Sequence, residues 1–143
     1  MSRPDPAPRT AEELFGADAA GLAAYRIVHD TIAGWGGCEE RVGRSQVGFR
    51  RGRGFAWLWS PRQYLKHPAT DVVLTFALDH ELASPRVKQA VRTSPLHVVH
   101  HVELRDPAAD LDPELLGWLR EAYDRADTRD DQRADPRVHG QPG

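Results

Sequence analysis

Between Ser45 and Pro61 the chain reads Ser-Gln-Val-Gly-Phe-Arg-Arg-Gly-Arg-Gly-Phe-Ala-Trp-Leu-Trp-Ser-Pro. Two runs rich in aromatic and β-forming residues enclose an Arg-Gly-Arg-Gly centre, the pattern of a β-hairpin. A two-residue loop at Gly52-Arg53, or a four-residue loop from Arg51 to Gly54, sets Arg50 opposite Phe55. Cross-strand partners share a face, so Val47 and Phe49 join Ala56 and Leu58 on one side. Gln46, Gly48 and Arg50 join Phe55, Trp57 and Trp59 on the other, where Gly48 leaves space opposite Trp57. A three-residue loop would mix the two sets, so the division depends on register. Arg51 and Arg53 fall in the turn and are expected to meet only water.

A length of 143 residues corresponds to one domain with room for a core, and 40% hydrophobic with 28% charged residues is ordinary for a globular protein. No apolar run approaches the ~20 residues of a membrane span, and the Pro-rich start is not a secretory signal. The single cysteine, Cys38, allows no internal disulfide and no cysteine-based zinc site, so a cytoplasmic location is expected. Net charge is −2 but unevenly spread, with seven Lys/Arg and no acid from Arg41 to Lys66. From Glu103 to Asp135 there are eleven acids against five arginines. The middle of the chain could attract an anion, or the two blocks could simply face each other or water.

Residues 1–9 are read as a disordered leader and 127–143 as a disordered charged tail around one domain, 10–126. Thr10-Ala-Glu-Glu13 fits a capping box for a short helix ending at Gly16. Asp18 can cap a longer one to about Ala33, with a stripe of Leu22, Tyr25, Val28, Ile32 and Trp35. Cys38 to Gly43 is a weak strand candidate. Arg62 to Thr70 reads as a loop, and Asp71 to Asp79 alternates as a strand. Arg86 to Arg92 favours a strand over a short helix. Leu96 to Leu104 puts Leu96, Val98, His100, Val102 and Leu104 on one face and His97, Val99, His101 and Glu103 on the other. Asp112-Pro113-Glu114 starts a helix whose stripe is Leu115, Trp118, Leu119, Ala122, Tyr123 and Ala126. The expected fold is α+β: an antiparallel meander of five or six strands with the N-terminal helices and a C-terminal helix on one face.

Arginine suits phosphate or carboxylate, and tryptophan offers a stacking or cation–π surface. Gln46, Arg50, Phe55, Trp57 and Trp59 therefore form a candidate ligand-binding face, with His101 added from the last strand. His97, His101 and Glu103 share a face, but an extended strand separates the two histidines by ~13 Å, too far for one ion without other ligands. No metal or cofactor is expected. His100 points among aliphatic residues as a core histidine. Cys38 has no sequence partner for nucleophilic chemistry, the serines lack a Gly-x-Ser-x-Gly elbow, and Gly52-Arg53-Gly54 is not a phosphate loop.

Four blocks resemble the bacterial family called domain of unknown function 5655. They are Ser45 to Arg50, Phe55 to Pro61, His100-His101-Val102-Glu103-Leu104, and Leu111 to Tyr123. The resemblance covers about Thr10 to Ala126 and implies a small bacterial cytosolic protein or C-terminal module. It carries over no catalytic residue, but Gln46 and the pair His100-His101 look like parts of the family pattern.

The expected function is a soluble binding or accessory domain, with enzymatic activity left open as the less favoured reading, holding a small anionic, partly aromatic ligand such as a nucleotide on the sheet face. Nucleic acid is the less favoured partner, and no membrane is involved. Two alternatives stay open: a protein-interaction or homodimer module using the same tryptophans, and a small enzyme using His101 with Glu103.

Overall fold

A computed structural model of the protein describes residues 8–16, 18–60 and 72–126. The expected tail, the expected 62–70 loop and most of the expected leader lie outside the described residues. The first helix, α1 (Ala11–Phe15), starts on the capping box. Glu13 N–H donates to Thr10 Oγ1 at 3.0 Å, and Thr10 N–H donates back to Glu13 Oε1 at 3.2 Å. Asp18 caps α2 (Ala19–Trp35), accepting from Gly21 N–H at 3.0 Å. The buried face of α2 runs through Gly21, Ala24, Val28 and Ile32, while Leu22, Tyr25 and Trp35 are only partly buried beside it.

Six strands follow: β1 (Glu39–Val42), β2 (Gln46–Arg51), β3 (Arg53–Trp59), β4 (Val72–Leu78), β5 (Gln89–Ser94) and β6 (His97–Leu104). They form one antiparallel sheet in the order β1-β2-β3-β4-β6-β5. The expected meander holds for the first four strands and then departs, because β6 lies beside β4 and β5 takes the edge. Composition explains the exchange. β6 buries Val98, His100, Val102 and Leu104 on one face and Val99 on the other, whereas β5 carries mainly polar, exposed residues. An edge strand tolerates polar side chains that a central one cannot.

After a single turn not foreseen from the sequence, α3 (Pro107–Asp110), comes α4 (Pro113–Ala126). Asp112 accepts from Leu115 N–H at 3.0 Å, Pro113 opens the helix, and Glu114 sits in its first turn. Arg86, from the β4–β5 connection, locks this start. Its Nη1 donates to Asp112 Oδ1 at 2.9 Å and Glu114 Oε1 at 2.9 Å, and its Nη2 to Asp110 O at 2.7 Å. Helices α2 and α4 pack on one sheet face, hereafter the helix face. There Val28, Ile32, Leu115 and Leu119 meet Phe49, Leu58, Leu74 and Phe76. Each such side chain contributes about 1.5–3 kcal/mol by leaving water.

The β2–β3 hairpin follows the expected register from Gln46↔Trp59 to Phe49↔Ala56, then shifts, pairing Arg50 with Gly54 and Arg51 with Arg53. Gly52, at φ 75, turns the chain. The shift leaves Phe55 as an extra residue, a β-bulge. Phe55 therefore turns to the helix face, where it is 1% exposed and meets the Tyr123 ring edge-on at 5.6 Å. This overturns its expected place on the ligand-binding face, because the alternation assumed an unbroken ladder. The expectation that Arg51 and Arg53 meet only water fails for the same reason. Both turn toward α4, where Arg51 Nη1 donates to Tyr123 O at 2.8 Å and Arg53 Nη2 to Arg125 O at 3.4 Å. They place positive charge at the carbonyl end of α4, where the helix dipole favours it.

Candidate functional site

The register lines up side chains on the far face in cross-strand rows. One row runs Gly48–Trp57–Thr75–His101–Gln89 and the next Gln46–Trp59–Val73–Glu103. Trp57, Val73, Thr75, Ala77 and Val99 are buried but stand outside the helix-packed cluster. They make a second, smaller buried layer. Around them Gln46, Arg50, Trp59, His101 and Glu103 are half-buried, so the face has a closed floor and an accessible rim.

Trp57 belongs to the floor. Its indole lies over two glycines: a Cβ on Gly48 would stand 3.2 Å from Trp57 Cδ1, and one on Gly54 2.8 Å from Cζ2. At 5% exposure it is no free stacking surface.

Trp59 and His101 are brought together by Thr75, a residue that sequence reasoning left out. Trp59 Nε1–H donates to Thr75 Oγ1 at 2.9 Å, and the same oxygen lies 2.8 Å from His101 Nδ1. The two rings meet edge to face with centroids 6.1 Å apart. Thr75 is fully buried. The signal that could have found it is its place in the alternation of β4: a hydroxyl at the centre of an apolar strand needs a partner. Burial pushes the His101 pKa below the usual histidine value, so the ring is neutral at pH 7. Its Nε2 has no hydrogen-bond partner among the described residues.

Arg50 stands apart. Between β2 and β6 lie three strand spacings, roughly 14 Å. Arg50 Nε instead faces Glu39 Oε1 of β1 at 3.7 Å, and its Nη2 donates to Gly52 O at 3.4 Å. The run without acids in sequence is thus met by an acid from the neighbouring strand.

His100 points to the helix face, as its alternation requires. It is fully buried, stacks on Phe76 at 5.2 Å, and accepts from Leu82 N–H at Nε2 (3.0 Å). Burial lowers its pKa, keeping it neutral. Two other histidines are ion-paired. His29 Nδ1 lies 2.6 Å from Glu40 Oε2, while Tyr25 donates to Glu40 Oε1 at 2.6 Å, tying edge strand β1 to α2. His80 Nε2 lies 2.5 Å from Glu121 Oε2, with Asp79 nearby. The carboxylate partner raises each pKa. Asp79, His80 and Glu121 bring three potential ligand atoms within 4.8 Å of one another, all on exposed residues. The short His80–Glu121 contact reads as an ion pair. Half-buried Cys38 has its thiol pushed up to about 11 by burial, which makes it a poor nucleophile.

Fold and site together define a small α+β domain: a six-stranded antiparallel sheet with helices on one face and a hydrogen-bonded Trp–Thr–His chain on the other. The chain belongs to the family described as Domain of unknown function (DUF5655), which matches residues 11–126. No curated protein and no solved structure matches the chain. Among the described residues, no helix is long and apolar enough to cross a membrane.

Proposed function

We propose that this is a non-enzymatic binding domain that takes a small, partly aromatic ligand on the far face, against Trp59 and His101. The observation that carries the reading is the chain Trp59–Thr75–His101. It holds an indole and an imidazole together at the accessible rim, and it leaves one ring nitrogen without a partner among the described residues. Gln46, the cross-strand partner of Trp59, and Glu103, two residues along β6 from His101, flank the pair and give direction. Trp57 supplies the floor. An anionic group on the same ligand reaches Arg50 only by crossing most of the sheet, which suits an extended nucleotide better than a compact anion. A cytoplasmic setting fits the lone, unreactive cysteine.

The test is a titration of intrinsic tryptophan fluorescence with adenosine monophosphate, short oligonucleotides and sugar phosphates. The expected result is a saturable response to the nucleotide, weakening as salt rises and lost in His101→Ala with the circular dichroism spectrum unchanged. A flat titration across all three ligand classes would sink the reading. A concentration-dependent mass in light scattering that collapses in Trp59→Ala would favour a homodimer built on the same face.

A further inference from the structure

We infer that Thr75 is a positioning residue that fixes the polarity of His101, so that the far face offers its ligand an outward Nε2–H donor and selects a group with a lone pair. The inference rests on the proposed binding role of this face only for its ligand; the polarity itself follows from proton counting.

An indole N–H can only donate. The bond from Trp59 Nε1 therefore occupies one lone pair of Thr75 Oγ1. Thr75 has no exposed surface through which water could take its hydroxyl proton. Among the described residues its only other side-chain partner is His101 Nδ1, at 2.8 Å. The hydroxyl proton must go there, so Nδ1 accepts. Were Nδ1 to carry a proton instead, two donors would converge on one oxygen and the hydroxyl proton would be buried unpaired, at a cost of about 1–3 kcal/mol. An imidazolium would meet the same conflict. With Nδ1 accepting and the ring neutral, the remaining proton sits on Nε2. The donor sequence runs in one direction: indole to hydroxyl, hydroxyl to imidazole, imidazole to ligand.

The ligand class follows. A metal ion requires a lone pair on Nε2 and is turned away, as is a cationic donor. Two residues along β6 on the same face, Glu103 adds an acceptor. A donor and an acceptor side by side match a planar group that is acceptor at one edge and donor at the next, as in a nucleobase or a carboxamide. The phosphate of a nucleotide would then lie away from Glu103, whose charge repels it.

The experiment reads the ring directly. Long-range ¹H–¹⁵N spectra of the full-length, ligand-free protein at pH 7.5 should show His101 as a single Nε2–H tautomer. Thr75→Ser should keep that signature, and Thr75→Val should convert it to a tautomer mixture. An Nδ1–H or imidazolium pattern in the unmodified protein would overturn the inference, as would a Thr75→Val spectrum identical to it. These spectra need no ligand, so failure of the nucleotide titration would remove the binding proposal and leave the tautomer result standing. If adenosine monophosphate does bind, its affinity should fall at least tenfold in Thr75→Val and recover in Thr75→Ser. Equal affinity in all three would refute the positioning role.

Discussion

The Trp57 indole lies over Gly54 so closely that a methyl on that glycine would stand 2.8 Å from Cζ2. Neither Gly54 nor Gly48 has a positive φ, so what each provides is space. Gly54→Ala should displace a buried ring and destabilise the fold by about 1–3 kcal/mol. Gly48→Ala, where the nearest indole atoms would be at 3.2 Å, should cost less. Urea midpoints at constant slope measure both, and a stabilised Gly54→Ala would refute the close packing of Trp57.

Phe55 provides the counterpart on the other face. Its ring is buried against Tyr123, so Phe55→Ala should cost about 3–5 kcal/mol. In protein still folded at low denaturant, the nucleotide response should persist. Loss of that response without loss of stability would return Phe55 to the ligand-binding face.

Acidification should separate the histidines into two pairs. His100 and His101 have folded pKa values below 6.5 because burial disfavours the charged ring. As pH falls through 6.5 the unfolded chain takes up protons that the folded chain refuses, and stability declines. His29 and His80 have folded values above 6.5, raised by Glu40 and Glu121. Their contribution is full below 6.5 and fades as pH rises through the raised values. The double variant His29→Gln/His80→Gln should therefore lose more stability between pH 7 and pH 5 than the unmodified protein. Denaturation curves across that range test this, and a shallower loss would reverse the assignment.

At the start of α4, Arg86 donates to two carboxylates and a backbone carbonyl at once. A lysine has no planar fork to span them. Arg86→Lys should melt close to Arg86→Ala and below the unmodified protein. A lysine variant as stable as the original would show that charge alone suffices there.

Local signals made most of the architecture legible. The caps at Thr10, Asp18 and Asp112 start their helices as read, since each depends on residues within one turn. The inward sets Val47, Phe49, Ala56 and Leu58 also emerge from alternation. The bulge at Phe55 was not legible, because it depends on what the hairpin tip meets: Tyr123 and the last carbonyls of α4, about seventy residues away in sequence. The β5–β6 exchange escaped for a related reason. A ten-residue connection, Asp79 to Lys88, permits either order, and the choice is made by burial. Within the site, Trp59 and His101 were both singled out, yet Thr75, the atom bridge between them, carried no motif. Alternation gives Arg50 and His101 the same face but does not encode strand order, which sets β2 and β6 three strand spacings apart.

That strand order has a kinetic consequence. The β2–β3 hairpin can close locally, but β4 reaches β6 only after the intervening chain, including β5, has been looped out, and Thr75 and His101 are 26 residues apart. Long-range ladders of this kind form late, after the loop entropy has been met. The Trp59–Thr75–His101 chain spans that ladder and cannot exist before it closes. Its indole is thus a reporter for closure of the β4–β6 ladder, and a molecule bound across it would favour the closed ladder over the open one.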